Sequence, residues 1–118
     1  MLIEVLHPTA ADHASGGLSS NALSCVLRVS SGERTAWLTG DVGMDQEELL
    51  AARHPGQRAD VLKAPHHGSR FSSSPVWLNT LKPRHIVIQA GYRNAFRHPS
   101  PTVLARYRQR DIPWVSSP

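Results

Sequence analysis

The chain has 118 residues, of which 40% are hydrophobic and 19% charged, a composition typical of one soluble globular domain. No apolar stretch approaches the roughly 20 residues that a membrane-spanning helix needs. The opening residues, MLIEVLHP, lack the basic head and long apolar core of a signal peptide. We therefore expect any membrane-embedded part of the protein to lie outside this chain. The single cysteine, Cys25, excludes an internal disulfide, and its apolar surroundings predict a buried side chain.

The net charge of +4 is unevenly distributed along the chain. Six arginines and no acidic residue lie between Arg84 and Arg110, with Tyr92, Phe96 and Tyr107 among them. A basic segment with interspersed aromatic residues is compatible with an anionic partner such as nucleic acid. A solvated, arginine-rich face explains this feature equally well.

The first 40 residues predict three strands. LIEVL (2–6) alternates and predicts a strand, whereas the small and polar residues 8–22 predict a surface loop. The runs LSCVLRVS (23–30) and RTAWLTG (34–40) flank a short turn that contains Gly32. Two β-type runs around a tight glycine-containing turn are typical of a β-hairpin.

From residue 44 onward, helix-type and strand-type segments alternate. MDQEELLAARH has acids near its start and basic residues near its end, which suits the helix dipole. Ser73 or Ser74, and later Ser100, precede an early proline, as N-caps do. The predicted elements are helix 44–54, strand 59–64, helix 73–82, strand 85–91, helix 100–110 and strand 112–117. This alternation predicts an α/β layer architecture with a mixed sheet.

Three polar clusters follow predicted strands: TGD (39–41), HHGS (66–69) and GYRNAFRHP (91–99). In α/β sheets, ligands bind at the carboxyl ends of the strands, so these three loops are expected to converge on one site. This convergence is a stronger argument for function than any one of the motifs.

Asp41 has two interpretations. It directly precedes a predicted helix, where an aspartate commonly caps free N–H groups, and this role is favoured when the residue is considered alone. A carboxylate at this position is also able to bridge two divalent metal ions, and the preceding glycine allows close approach.

His66 and His67 favour a functional interpretation, because neutral imidazole is the commonest metal ligand at neutral pH. In extended backbone their side chains point in opposite directions, so at most one is expected to face a given metal. Gly68 permits a sharp turn, and Ser69 is able to hydrogen-bond a ring nitrogen or a phosphate. His98 precedes a helix, and structural and substrate-binding roles suit it equally.

The segment HPTAADH (7–13) has a partial likeness to the His-x-His-x-Asp-His element of binuclear metallohydrolases. It lacks the middle histidine, and His7 lies one residue too far from Asp12. We therefore interpret the segment as a strand end followed by a loop.

Together these motifs resemble the metallo-β-lactamase-type domain at the C-terminus of ComEC-type DNA internalisation proteins of bacterial competence. The resemblance covers residues from about Ile3 to Val115 and is most specific in LKAPHHGSRFSSSP followed by GYRNAFRHPSP. It rests on the segments NALSCVLRV, WLTGDV, ADVLKAPHHGSRFSSSP, LKPRHIVIQAG and NAFRHPSPTVLARYRQRDI.

The resemblance implies an αββα sandwich with a divalent-metal site, zinc or manganese, between its halves. It implies that Asp41 bridges the metals, that His67 is a later metal ligand and that His66 lies near the reacting phosphate. The substrate-side contacts that we predict are Ser69, Arg70, Asn94 and His98.

The departure from this family is that the early His-x-His-x-Asp-His element and a further histidine are absent. The chain therefore resembles the second half of the sandwich, and we expect it to bind metal weakly and to be inactive alone. Half a sandwich exposes an apolar sheet face, which predicts a homodimer unless the helices rearrange to cover that face.

The function that the resemblance implies is metal-dependent phosphodiester hydrolysis of DNA during uptake. It also implies that the domain is attached to a channel in the bacterial inner membrane. Two alternatives stay open: a non-catalytic module that binds single-stranded DNA, and a hydrolase acting on another phosphoester or on a small-molecule ester. Salt-dependent DNA binding without an effect of chelator favours the first of these.

Overall fold

A computed structural model of the chain describes residues 1–19, 21–89 and 99–117. In these residues six strands form one mixed sheet, whose strand order follows the order along the chain. The strands are β1 (Leu2–His7), β2 (Val26–Ser31), β3 (Arg34–Thr39), β4 (Val61–Lys63), β5 (His85–Gln89) and β6 (Trp114–Ser117). The helices are α1 (Ala10–Ser15), α2 (Met44–Arg53), α3 (Pro75–Leu81) and α4 (Pro101–Gln109). The predicted α/β class with a mixed sheet is confirmed.

The sheet has an antiparallel part and a parallel part that meet in β3. Strands β1, β2 and β3 pair antiparallel, and β3 to β6 pair parallel. The β2–β3 turn contains Gly32 at φ 60°, a left-handed conformation that glycine adopts without steric cost. The predicted hairpin is therefore confirmed. Because β3, β4 and β5 run in the same direction, their carboxyl ends lie at one edge of the sheet.

The helix starts follow the capping signals in the sequence. Ser74 caps α3, where its side chain accepts a hydrogen bond from the Trp77 N–H at 3.1 Å. Ser100 caps α4 by accepting from the Thr102 N–H at 3.2 Å. Both helices begin with proline, as predicted.

One face of the sheet carries the hydrophobic core. Trp37, Leu62 and Ile86 are neighbours across β3, β4 and β5, and all three are completely buried. The helices contribute the other large core side chains, among them Leu50, Trp77, Leu78, Leu81, Val103 and Tyr107. Helices α2, α3 and α4 therefore all pack on this one face.

The opposite face of the sheet is apolar and exposed. Val5 in β1 and Val115 in β6 are each 65% exposed, and Leu38 and Val87 between them are also exposed. The strand register places the following side chains on this uncovered face: Ile3, Val5, Leu27, Val29, Ala36, Leu38, Val61, Val87 and Val115. The helices do not rearrange to cover them.

Two predictions for the first 25 residues are wrong. The predicted loop 8–22 contains helix α1, which begins where the Thr9 hydroxyl accepts a hydrogen bond from the Asp12 N–H at 3.2 Å. Cys25 is exposed, because it lies just before the first paired residue of β2. Within the described residues, no helix is both long and apolar enough to cross a membrane.

Candidate functional site

Two of the three predicted loops meet at the carboxyl ends of β3 and β4. The Nε2 atom of His67 lies 3.5 Å from Oδ1 of Asp41, and both side chains are partly exposed, at 45% and 37%. The third loop falls almost entirely on residues 90–98, so Asn94 and His98 lie outside the described residues. The structure thus brings Asp41 and His67 together, as the strand-end argument predicts.

Asp41 is free of the capping role that its position suggests. Helix α2 has Gly43 as its N-cap residue, and the Gln46 side chain accepts from the Gly43 N–H at 3.4 Å. The prediction of Asp41 as the helix cap is therefore wrong. The reason is local: the helix begins at Met44, as predicted, so its cap is Gly43, and the Asp41 carboxylate lies two residues before that cap at the sheet edge.

Main-chain hydrogen bonds hold the two loops together. The His66 N–H donates to the Gly40 carbonyl at 2.9 Å, and the Gly40 N–H donates to the Cys25 carbonyl at 3.1 Å. A Cβ atom on Gly40 would lie 2.7 Å from the Ser24 Cβ, so only glycine fits this close approach. The position of Asp41 relative to the histidines is therefore set by backbone geometry.

His66 and His67 do not have the extended backbone that was predicted. They lie in a single helical turn, Pro65–Gly68, with positive φ angles of 49° and 55°. L-residues rarely adopt this left-handed conformation, and such strain concentrates at functional sites. The two rings are 6.4 Å apart between centroids and are steeply inclined, at 61°. The prediction that they point in opposite directions therefore loses its basis.

The hydrogen bond at the far side of the His67 ring determines which ring nitrogen carries the proton in neutral imidazole. Nδ1 lies 2.5 Å from the Gln89 carbonyl, and a carbonyl oxygen only accepts, so Nδ1 carries the proton and donates. In neutral imidazole the lone pair on Nε2 then faces the Asp41 carboxylate. A proton on Nε2, or a cation shared by the two atoms, would make this contact attractive. An imidazole oriented by a backbone carbonyl is typical of metal-ligating histidine.

Carboxylate and imidazole are suitable ligands for a divalent ion, but the described residues bring together few of them. Within the described ranges, no group of three or more His, Cys, Asp or Glu side chains is arranged to hold a metal ion. A catalytic zinc site usually has three protein ligands and one open position. Asp41 and His67 therefore provide at most part of such a site.

Lys63 is a neighbour of this site that the sequence analysis did not identify. Its Nζ donates to the Thr39 carbonyl at 3.0 Å, next to the loop that carries Asp41. Burial lowers the pKa of Lys63, and the charge of Asp41 acts in the opposite direction. A lysine inside the apolar run ADVLKA is the sequence signal that points to it.

Ser69 and Arg70 follow the histidine turn but differ in exposure. Ser69 is buried, and its Oγ accepts from the Phe71 N–H at 3.2 Å. The guanidinium of Arg70 lies 4.7 Å above the exposed Phe71 ring. The substrate contacts that we predicted for Ser69 and Arg70 stay predictions.

The serines that follow are a buried polar network and not a solvated loop. Both oxygens of Glu47 on α2 accept main-chain hydrogen bonds, from the N–H groups of Ser73 and Ser74 at 2.7 Å each. The Ser72 hydroxyl donates to the Pro65 carbonyl at 2.9 Å, at the start of the histidine turn. Ser73 Oγ lies 2.7 Å from the Tyr107 hydroxyl of α4. This network connects α2 and α4 to the histidine turn.

Two buried groups of this network have shifted pKa values. Burial raises the pKa of Glu47, while the main-chain hydrogen bonds from Ser74 and Ser73 counteract the rise. Burial also raises the pKa of Tyr107 to about 12, against the lowering effect of its hydrogen bond with Ser73. Glu47 was not identified from the sequence, because it has the pattern of an ordinary polar position of an amphipathic helix, and Tyr107 was noted only as one aromatic residue of the basic segment.

The HPTAADH segment forms a separate cluster. His7 ends β1 and is buried, with Nε2 2.6 Å from the Ala22 carbonyl and Nδ1 3.3 Å from Asp12 Oδ2. The Thr9 N–H donates to Asp12 at 2.7 Å and Arg53 lies beside it, which together hold the pKa of this carboxyl far below its usual range. The strand end is confirmed, whereas Asp12 lies in α1 and not in a loop.

Gly68 packs closely against Pro99, just before the start of α4. A substitution at Gly68 therefore tests how much this close contact between the histidine turn and the start of α4 contributes to stability. Its φ is 80°, and an added Cβ would lie 2.8 Å from the Pro99 Cβ. We expect Gly68→Ala to lower the free energy of unfolding by about 2 kcal/mol or more in urea denaturation. Gly56→Ala is the matched control, since Gly56 has φ 75° but open space around it, and should cost about 1 kcal/mol. Equal losses would show that the contact with Pro99 contributes nothing.

No protein-family model matches the chain. Competence protein ComA of Neisseria gonorrhoeae is among the curated proteins to which it is similar, with 41% identity over 96 residues. Two others are ComE operon protein 3 of Bacillus subtilis, with 36% identity over 108 residues, and recombination protein 2 of Haemophilus influenzae, with 35% identity over 88 residues. The aligned segments cover 80%, 92% and 75% of this chain but only 14%, 13% and 11% of these relatives. The chain is therefore related to the ComEC-type competence proteins, of which it matches a short segment.

Proposed function

We propose that this chain is the part of a DNA-uptake protein that forms one wall of a metal-dependent phosphodiesterase site. The observation that carries the proposal is the His67 ring, which Gln89 orients so that Nε2 faces Asp41. The competence proteins among its relatives support DNA as the substrate. The two-metal type of site is a property of the metallo-β-lactamase family that the sequence resembles.

In this proposal each residue of the chain has a defined task. Asp41 and His67 would hold a divalent ion, which supplies Lewis-acid polarisation of a phosphoryl oxygen and a water of lowered pKa. The Gln89 carbonyl keeps the Nδ1 proton of His67 in place. Lys63 places a positive charge beside Asp41, and Arg70 offers a cation to the DNA backbone. His66 lies in the same turn and is proposed to contact the reacting phosphate.

The remaining ligands are proposed to come from a second sheet layer in a longer polypeptide. The uncovered sheet face supports this, because an apolar face of this kind packs on another sheet in β-sandwich architectures. We further propose that such a polypeptide is a bacterial inner-membrane protein, with this unit attached to its channel. Single-stranded DNA is the proposed partner, since uptake presents one strand to the site.

Metal titration tests the proposed half-site. Calorimetry with Mn²⁺ and Zn²⁺ should show only weak binding to this chain, reduced at least about tenfold by Asp41→Ala or His67→Ala. His85→Ala is the matched control, because this exposed histidine opens β5 at the opposite edge of the sheet, and it should leave binding unchanged. Tight binding of two ions by the chain would contradict the half-site.

A cleavage assay tests the proposed chemistry. The chain alone should not cleave single-stranded DNA at a useful rate, whereas a longer protein that supplies the second layer should do so with Mn²⁺ present. His67→Ala in that longer protein should abolish cleavage. Cleavage that survives His67→Ala would overturn the assignment of this edge as the site.

A non-catalytic module for single-stranded DNA is the second candidate. The observation that favours it is that only two ligand-type side chains meet at the described strand ends. In that case DNA binding depends on salt and is unaffected by chelator.

A further inference from the structure

We propose that Phe71, together with Arg70, stacks on an unpaired nucleobase beside the Asp41–His67 edge. The Phe71 side chain is 62% exposed, whereas the three serines that follow it are completely or almost completely buried. An isolated exposed phenylalanine is unremarkable by itself. The argument therefore depends on how this ring is held, what surrounds it and where it lies.

The backbone of Phe71 is fixed on both sides. Its N–H donates to the Ser69 Oγ at 3.2 Å, and its carbonyl accepts from the Met44 N–H at the start of α2 at 3.0 Å. Because the backbone is hydrogen-bonded in both directions, stacking of a ligand on the ring restricts only the side-chain torsions and orders no main chain. Phe71 is thus an exposed aromatic side chain on a rigid support.

A hollow beside the ring has a size and composition that suit a base. It is lined by Gly43, Met44, Asp45, Gln46 and Phe71 and has a volume of about 290 Å³. This lies at the lower end of the range of ligand pockets, about 300 Å³, so it accommodates a planar heterocycle and not a whole nucleotide. The carboxylate of Asp45 disfavours a phosphate in the hollow and is able to accept a hydrogen bond from an N–H group of a base, such as N3–H of thymine.

Arg70 adds the charge that a nucleotide needs. Its guanidinium lies 4.7 Å from the centroid of the Phe71 ring, within the range of a cation–π contact. With the guanidinium over one face of the ring, a base would stack on the other face and the arginine would contact a phosphate; arginine and aromatic side chains combine in this way in proteins for single-stranded nucleic acid. Bases in a duplex are stacked and paired, so this arrangement selects unpaired bases.

The position of Phe71 places the base next to the candidate site. Ser69, which holds the Phe71 N–H, itself donates from its N–H to the His66 carbonyl at 3.0 Å. The ring and the two histidines therefore belong to one hydrogen-bonded turn. This inference rests on the proposed function in one respect only, namely that DNA is the ligand.

Binding to two oligonucleotides with the same backbone charge tests the inference. Fluorescence anisotropy in EDTA should compare oligothymidylate of about twelve nucleotides, a length within the usual site sizes, with an abasic deoxyribose-phosphate chain of equal length. We expect the chain to prefer oligothymidylate about fivefold or more. Phe71→Ala should remove this preference, and Phe71→Trp should retain it. The matched control is Val76→Ala, which removes an exposed side chain from α3 and should change nothing.

The outcomes separate this inference from the proposed function. Absence of the preference in the wild type, or its persistence in Phe71→Ala, would overturn base stacking whatever the metal experiments show. A preference that depends on Phe71, together with DNA cleavage that is insensitive to His67→Ala in the longer protein, would overturn only the proposed catalytic site. EDTA keeps the binding measurement independent of any metal.

Discussion

Replacing Glu47 with alanine should lower the free energy of unfolding by about 4 kcal/mol, a large fraction of the stability of a domain of this size. The substitution leaves the buried N–H groups of Ser73 and Ser74 without their acceptors, each at a cost of about 1 to 3 kcal/mol. Urea denaturation followed by circular dichroism measures the loss. Glu48→Ala, at the exposed neighbouring position, should change stability by less than about 0.5 kcal/mol.

Glu47→Gln keeps the shape of the side chain and provides a second measurement if the alanine variant does not fold. Because burial raises the pKa of Glu47 in the folded protein, the folded state binds this proton more tightly than the unfolded state does. The contribution of Glu47 to the free energy of unfolding is therefore largest below the ordinary glutamate pKa. It decreases as the pH rises through the raised pKa that Glu47 has in the folded protein. The stability advantage of wild type over Glu47→Gln should narrow accordingly. An advantage that widens with pH would contradict the assigned direction.

The isolated chain should self-associate through the uncovered sheet face. This face spans six strands, roughly 25 Å, and its aliphatic side chains occupy the middle of the strands, whereas the polar residues of the same face, Arg34, Lys63, His85 and Gln89, lie at strand ends. A contiguous exposed apolar surface of this extent is typical of an interface. In a solution that contains this chain alone, the same face of a second copy is the apolar surface available to cover it. Sedimentation velocity should therefore show a dimer or a larger species whose proportion rises with protein concentration.

Substituting lysine at the centre of this face should shift the chain toward monomer. Leu38→Lys and Val87→Lys each place a charge where the second copy would pack, and we expect at least about a tenfold weaker association. Val76→Lys is the matched control, since Val76 is similarly exposed but lies on α3, in the helix layer. A monomeric wild type at all concentrations, or equal effects of the three variants, would contradict this interface.

Local signals explain why much of the fold is predictable from the sequence. The hairpin around Gly32 and the two Ser-Pro helix starts depend on residues within a few positions of one another, so their patterns are visible in the chain. Helix α1 was missed because residues 8–22 are rich in the small and polar residues that also form loops. Cys25 was predicted to be buried because its neighbours in the sequence are apolar. In the structure β2 begins only at Val26, so Cys25 lies outside the strand.

The candidate site was predictable in its location but not in its geometry. The strand-end rule brings Asp41 and His67 to one edge, because their strands are parallel neighbours. The left-handed conformation of both histidines depends on contacts from distant parts of the chain, such as the Gly40 carbonyl. Glu47 was missed for the same reason, since its partners lie 26 and 27 residues away.

The agreement between strand order and chain order has a consequence for how this unit connects to other polypeptide. Because β1 and β6 form the two outer strands, a segment joined before Leu2 would enter beside one margin of the sheet. A segment joined after Ser117 would leave beside the opposite margin, roughly 25 Å away. Flanking segments would therefore hold this unit from two sides, and pulling on them would load the sheet across its strands, where the hydrogen bonds between neighbours carry the force.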